Sequence, residues 1–385
     1  MTTPCPSEER SARAALAALV EPGTPTAVPI AQEVLTAGPM SVLAAIRAGT
    51  DWLDPDRRLF RRAPDVDGVA VLRQGAVVGA RFLCPGDTEW PSGFDTFELV
   101  MDSSSRFGTP PVGLWVRGSG DLAAVTARSV AVVGSRAATD YGVRVATDLA
   151  ADLATAGWNV VSGAAYGIDA AAHRGALAVG GTTVAVLACG VDTAYPTGNA
   201  DLLRRIAGAG MVVSELPPGR RPSRIRFLAR NRLIAAMTRG TVVVEAAVRS
   251  GALNTAGWAH DLGRDILAVP GPVTSAMSAG CHDLVRKGAA TLVTEAREVI
   301  DIVGELGSDA AGDIGGQQRL WDDLAPLTRD VLEAMPARRA VTVDQICHVT
   351  GLAAAGCIAA FAELSMAGLV VCGPDGWRLA RRGGA

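Results

Sequence analysis

The chain has almost no lysine: Lys287 stands alone among 36 basic residues, so its positive charge is carried by arginine. A coding bias produces the same excess, which therefore says nothing by itself about phosphate binding. Seven cysteines are scattered at 5, 84, 189, 281, 347, 357 and 372 and make no C-x-x-C pair. That argues against a zinc site and for reduced thiols. No Gly-Lys-Ser/Thr occurs, so there is no P-loop, and the first strand turn lacks G-x-G-x-x-G, so a dinucleotide site is unsupported. The longest apolar stretch, near 182–191, is glycine-broken and too short to span a bilayer. The first residues carry Glu8 and Glu9 and no apolar signal core. These absences lead us to expect a soluble, cytoplasmic protein with no metal or cofactor. With a formal net charge of -3, any basic partner site must be local.

What is present is an alternation of short β-rich runs with helix-length segments. Val130 to Val133 ends in Gly134-Ser135-Arg136, and a helical pattern follows from about Tyr141 to Thr155. Asn159 to Val161 ends in Ser162-Gly163, and Thr183 to Leu187 ends in Cys189-Gly190. Val212 to Glu215, Thr241 to Glu245 and Asp265 to Val269 continue the series, and Ala290 to Val293 adds a short edge. This pattern predicts βαβ units around a parallel sheet, an α/β fold whose ligands bind at the strands' carboxyl ends. Here those ends carry Gly, Ser and Arg, which read as an anion-binding edge.

At 385 residues the chain has room for two or three domains. Residues 1–65 read as a small helical unit, SAM- or helix-hairpin-helix-like, with Ser11 to Val20, Val28 to Leu35 and Met40 to Ile46 at helical spacing. Such a unit either touches DNA backbone or packs as an appendage. Residues 66–304 hold the sheet; at their start, Val69 to Leu72 and Val77-Val78 alternate as an extended pair. Residues 305–318, rich in Gly, Asp and Ala, read as a linker. Residues 319–385 read as a winged helix, with a wing around Gly373-Pro374-Asp375-Gly376. Its third helix begins almost uncharged at Ala353 to Cys357, which suits protein contact or dimerisation at least as well as base readout.

The most informative stretch runs from Leu216 to Val244. It contains no Asp or Glu but seven arginines, 220, 221, 224, 226, 230, 232 and 239, with Phe227 and Asn231 among them. Arginine forks grip phosphates, Asn reaches a base edge or sugar, and an aromatic ring offers a stacking face. A charge run is more often a solvated face; the Gly/Ser-edged sheet before it and the ring within it favour phosphate binding. Gly134-Ser135-Arg136 reads either as a tight turn with a surface arginine or as a second anion contact. Asp169 and His173 lie four apart on one helix face and with Ser162 suggest a hydrolytic triad. No nucleophile elbow accompanies them, so Asp169 reads as holding the glycine-rich turn and His173 as packing beneath it. Glu245, at a strand end, is the candidate acid or base of a nucleotide-processing enzyme.

Five ordered motifs over roughly 140 residues resemble the DprA/Smf family of DNA-processing proteins. They are Gly134-Ser135-Arg136 with Thr139, Tyr141 and Gly142; Ser162-Gly163 through Gly167-Ile168-Asp169 with Ala172-His173; Tyr195-Pro196 with Asn199; Phe227 with Arg230-Asn231-Arg232; and Ser250-Gly251 through Thr255-Ala256. The resemblance implies a small helical N-terminal domain, an extended Rossmann-like core and a C-terminal winged helix. It implies a binding protein rather than an enzyme, one that holds single-stranded DNA, self-associates as a homodimer and loads RecA for recombination during DNA uptake. Carried over by motif, the strand pocket comprises Gly134, Ser135, Arg136, Ser162, Gly163, Arg224, Phe227, Arg230, Asn231 and Arg232. Arg224 stands where many members have Lys. The competing enzyme reading is a phosphoribohydrolase-like nucleotide hydrolase, which resembles this chain around Val244-Glu245 but carries a Pro-Gly-Gly stretch where this chain reads Val248-Arg249-Ser250.

Overall fold

The computed structural model describes residues 5–50, 57–100, 107–305, 324–336 and 339–380. The chain forms two compact units, 1–311 and 312–385.

The first unit is built on nine strands: β1 Ala80–Leu83, β2 Leu114–Arg117, β3 Ser129–Val133, β4 Asn159–Ser162, β5 Thr183–Val186, β6 Met211–Ser214, β7 Gly240–Val243, β8 Asp265–Ala268 and β9 Thr291–Leu292. They form one sheet in the order β1-β2-β6-β5-β4-β3-β7-β8-β9. From β6 to β9 every pairing is parallel; only β1 and β2 run against their neighbours. The central strands are near-continuous runs of Val and Ala because helices cover both faces. Side chains alternate across the pleat. Val130 and Val132 of β3 therefore pack with Leu149 and Leu153 of the Asp140–Thr155 helix, while Ala131 and Val133 pack with Leu233 and Ile234 of the Arg224–Ala236 helix.

Residues 68–78 are a correction to the expected extended pair. Gly68–Val77 is an α-helix capped by Asp67, whose carboxylate accepts the Val69 amide, and the extended segment comes later, as β1. The helix docks through its glycines: a Cβ on Gly68 would lie 1.9 Å from the Ser11 carbonyl oxygen, and one on Gly75 would lie 2.1 Å from the Trp115 ring.

The three expected N-terminal helices are Ser7–Leu19, Ala27–Ala37 and Pro39–Ala48. They share a compact unit with the sheet. Arg10 pairs with Asp87, and Arg13 donates to the Val112 carbonyl. The expected linker lies outside the described residues apart from Glu305.

The second unit is a winged helix, with helices Pro326–Glu333, Val343–Thr350 and Ala354–Met366 followed by the hairpin β10 Val370–Gly373 and β11 Gly376–Leu379. Phe361 stacks on Trp377 at 4.8 Å, fixing the wing to the third helix. Among the described residues no single helix is long and apolar enough to cross a membrane.

Candidate nucleic-acid interface

Strand order fixes where a ligand can sit. From β3 the chain builds outward to β6, then crosses through the Arg224–Ala236 helix to β7 on β3's other side. The loops after β3 and β7 thus diverge, and a crevice opens between them at the carboxyl edge. In this molecule the crevice is a cleft of about 850 Å³. Its walls come from Gly134-Ser135-Arg136 after β3, Ala165 and Asp169 after β4, Arg249 to Ala252 with Asn254 and Thr255 after β7, and the Arg224–Ala236 helix.

The turn after β3 is pinned from both sides. The Ser135 amide donates to the Glu245 carbonyl at 2.7 Å, and the Ser135 carbonyl accepts the Ile168 amide at 3.2 Å. Arg136 stays exposed at the lip. Below it Thr139 caps the Asp140–Thr155 helix, accepting the Gly142 amide while its own hydroxyl donates to Glu245 Oε1 at 2.6 Å. The Thr139 amide donates to Glu245 Oε2 at 2.9 Å. The Glu245 carboxylate is therefore buried under a helix N-terminus, where the helix dipole favours it, and it lines none of the cleft. Tyr141 donates its hydroxyl to the Pro270 carbonyl at 2.6 Å and braces the same corner.

The glycine-rich turn after β4 is framework. Ser162 is buried, and its hydroxyl donates to the Val132 carbonyl at 2.7 Å. Asp169 accepts the Gly163 and Ala165 amides at 3.2 and 3.4 Å. Asn199 donates to the carbonyls of Ala164 and Ala165, holding Ala164 at a φ of 54°. Gly167 precedes the Ile168–Ala178 helix, in which His173 is fully buried. Ser162 and Gly163 thus do not line the cleft. Gly163 makes room instead: a Cβ there would sit 2.0 Å from Arg230 Nη1.

His173 and Asp169 show how costly this floor is in charge. The Thr183 hydroxyl donates to the Val160 carbonyl, so the His173 Nδ1–H must donate to Thr183 Oγ1, 2.7 Å away. Its Nε2 is left buried without a partner. Burial, with Arg230 and Arg174 nearby, pushes the imidazole down to about 3. Burial likewise raises Asp169, against the pull of Arg230 and the two amides.

The arginine-rich stretch divides. Arg232 is buried; its guanidinium clasps Glu215 at 2.7 and 2.9 Å and donates to the Thr109 and Ala229 carbonyls. It lines none of the cleft, unlike the phosphate contact expected of it. Arg226 is held by Glu21, Arg239 by Glu305, and Arg220 by the Ala18 carbonyl. Arg230 lines the cleft floor, donating to the Val186 carbonyl at 2.5 Å and to Asn231 Oδ1, and burial pushes it down to about 10. Asn231 in turn donates to Asn254 Oδ1 at 3.2 Å, tying the floor to the Gly251–Asp261 helix that Ser250 caps. Arg224 alone of the seven is both exposed and on the cleft.

What the rim assembles is an aromatic and cationic cluster. The Phe227 ring lies 4.6 Å from the Arg136 guanidinium carbon, 6.0 Å from that of Arg230 and 5.7 Å from the Tyr195 ring. Arg224 and Arg249 are exposed beside it and make no ion pair among the described residues. Arg249 and Tyr195 were not singled out as binding residues from sequence. Tyr195 was visible only as a motif position, and Arg249 had no signal beyond lying in the loop after β7.

Known proteins match along most of the chain. The model of DNA recombination-mediator protein A matches residues 81–304, and that of the DprA winged helix domain matches 318–376. A putative DNA processing protein DprA of Mycobacterium tuberculosis is 45% identical over 366 residues, covering 93% of this chain and 92% of its own. In structure, DNA processing protein A of Streptococcus pneumoniae aligns with a TM-score of 0.63 at 28% identity, over 78% of this chain and 99% of that one. DNA processing protein A of Helicobacter pylori, whose structure was described for its single-stranded DNA binding mode, aligns with a TM-score of 0.50 at 28% identity, over 58% and 94%.

Proposed function

The chain belongs to the DprA/Smf family of DNA-processing proteins, and on that premise we propose that it binds single-stranded DNA in the cleft beside β3 and β7, largely without regard to sequence. The observation that carries this reading is the exposed trio Arg136, Arg224 and Arg249 around the Phe227–Tyr195 ring pair. Sequence-independent binding wants phosphate contacts and a stacking face, because every base has a π-face and every link a phosphate. The rim supplies both, and base-edge readers are few: Asn231 and Asn254 already bond to each other.

The protein acts as a binder and not as a catalyst. The acid or base that a nucleotide hydrolase would need here, Glu245, has both carboxylate oxygens engaged by Thr139 and faces away from the cleft. Following the family resemblance, the bound strand is handed to RecA, and the protein works in the cytoplasm as a homodimer. Sedimentation equilibrium tests the dimer, and RecA filament assembly on coated single strands tests the handover.

Fluorescence anisotropy of a labelled mixed-sequence oligonucleotide across a salt series tests the reading itself. Three clamped phosphates give a slope of log K on log salt of about -2 for a single strand. Duplex competes weakly on this reading. No binding at low salt overturns it.

A further inference from the structure

Glu245 follows β7 and serves the turn after the neighbouring β3 twice. Its carbonyl accepts the Ser135 amide at 2.7 Å. Its carboxylate accepts the Thr139 amide at 2.9 Å and the Thr139 hydroxyl at 2.6 Å. The segment from Ser135 to Thr139 is thus fixed at both ends by one residue, and Arg136 lies between the two fixed points. Two glycines make the room. A Cβ on Gly142 would lie 2.3 Å from Glu245 Oε2, and one on Gly134 would lie 2.9 Å from the Glu245 carbonyl oxygen.

Glu245 is 2% exposed and forms no ion pair among the described residues. Burying a carboxylate costs stability, and here hydrogen bonds rather than a cation offset that cost. An apolar residue in its place would avoid the cost but would leave the Thr139 hydroxyl without its acceptor and the turn free at one end. The other end of Arg136 is ordered as well. Its guanidinium carbon lies 4.6 Å from the Phe227 ring, on the helix that leads into β7. A side chain ordered before its ligand arrives loses less entropy on binding.

We propose that Glu245, which lines none of the cleft, is the positioning residue for Arg136: it holds the turn after β3 so that the guanidinium stands ready at the lip for a phosphate of the bound strand. This rests on the single-strand reading above and names the residue that readies one of its contacts. The mechanism fixes a sign. Removing a buried negative charge by itself favours a polyanion nearby. Weaker binding after neutralising Glu245 therefore reports lost positioning and not a changed field.

A double-mutant cycle on a labelled single-stranded oligonucleotide, read across a salt series, tests this with wild type, E245Q, R136A and E245Q/R136A. Gln cannot accept from both the Thr139 amide and the Thr139 hydroxyl, because one of its two terminal atoms is a donor. E245Q is expected to weaken binding about fivefold, the entropy of ordering one long side chain. Its salt slope stays that of the wild type, since the same phosphates are still neutralised, whereas R136A flattens the slope by about 0.7. In the R136A background E245Q changes affinity by less than about twofold, because the contact it readies is gone. Thr139 gives the same answer from the other side of the hydrogen bond: T139V behaves as E245Q does, and T139S, which keeps the hydroxyl, binds as the wild type. That pair decides the matter should E245Q not fold. Binding by E245Q and T139V at or above the wild-type level overturns the proposal, and so does an equal loss with and without Arg136. Failure of the wild type to bind overturns the cleft reading instead.

Discussion

Arg224 and Arg232 sit about two turns apart on one helix and read alike in sequence. Arg224 is exposed at the lip of the cleft, whereas Arg232 is 2% exposed and fastened to Glu215 behind it. The same division runs through the whole site. The rim, Arg136, Arg224, Arg249 and Phe227, is positioned but leaves its charges free for a ligand. The framework beneath and behind it, Asp169, His173, Asn199, Arg230 and Arg232, is polar, buried and hydrogen-bonded internally but for His173 Nε2. An arginine's role here follows from which carboxylate or carbonyl it reaches, and a count of positive residues along the chain does not contain that information.

The comparison breaks most visibly at Arg232. Removing it leaves the largely covered Glu215 without its partner, so Arg232→Ala costs about 3 kcal/mol of folding stability. Denaturant unfolding checks this, and the fraction still folded binds single strands as the wild type does. Lost affinity at full stability would place Arg232 on the rim after all.

Rim variants show the reverse pattern. Arg136→Ala removes both a phosphate donor and the cation over the Phe227 ring, and it weakens binding by about 1–3 kcal/mol with the salt slope flattened. Phe227→Ala loses about 1–3 kcal/mol for a stacked base. An abasic oligonucleotide should lose nothing further in that variant; an equal loss on normal and abasic strands rules out stacking. Both variants keep their unfolding free energy within the scatter expected of surface changes, about 0.5 kcal/mol.

How much of this was legible depends on what each residue type can encode. The strand runs, the turn residues after β3 and β4 and the ring at Phe227 were readable because periodicity and residue type carry them directly. The helix at 68–77 was not, because Val69-Ala70-Val71-Leu72 suits a strand locally. What overrides it is the close fit of Gly68 and Gly75 against Ser11 and Trp115, which are distant in sequence. Ser162 and Gly163 were read as ligand contacts because small residues at a strand end allow a ligand or a side chain to approach, and here the side chain of Arg230 occupies the space. The partners Glu215, Glu21 and Glu305, which withdraw three of the seven arginines, all lie outside the acid-free stretch that first drew notice.

The floor should also register in pH. His173 is neutral in the folded protein, with its imidazole near 3, and its ordinary value is 6.5. The unfolded chain therefore takes up a proton first, so this contribution to stability is complete above pH 6.5 and is lost as pH falls from there toward 3. At pH 5.5 the loss is about 1 kcal/mol. Asp169, raised by burial, acts in the opposite direction but only as pH approaches the carboxylate range. Urea midpoints at pH 7 and 5.5 measure the difference, and His173→Gln should flatten it even if that variant is less stable throughout. A pH-independent midpoint in the wild type would mean that the floor opens to water.

The smallest effect sharpens the comparison furthest, because Arg249 belongs to the rim by position alone. It stands on the loop after β7, opposite Arg136, exposed and outside the arginine-rich stretch. If being free and on the lip is what makes an arginine a phosphate contact, Arg249→Gln flattens the single-strand salt slope by about 0.7. Its cost in affinity stays below about 1 kcal/mol, as for other solvent-exposed charge contacts. Arg239→Gln removes an equal charge that is tied to Glu305 and the Ala127 carbonyl, far from the cleft lining. Its slope should match the wild type. If the two variants shift the slope alike, binding follows net charge and not placement, and the distinction between rim and floor loses its meaning for affinity.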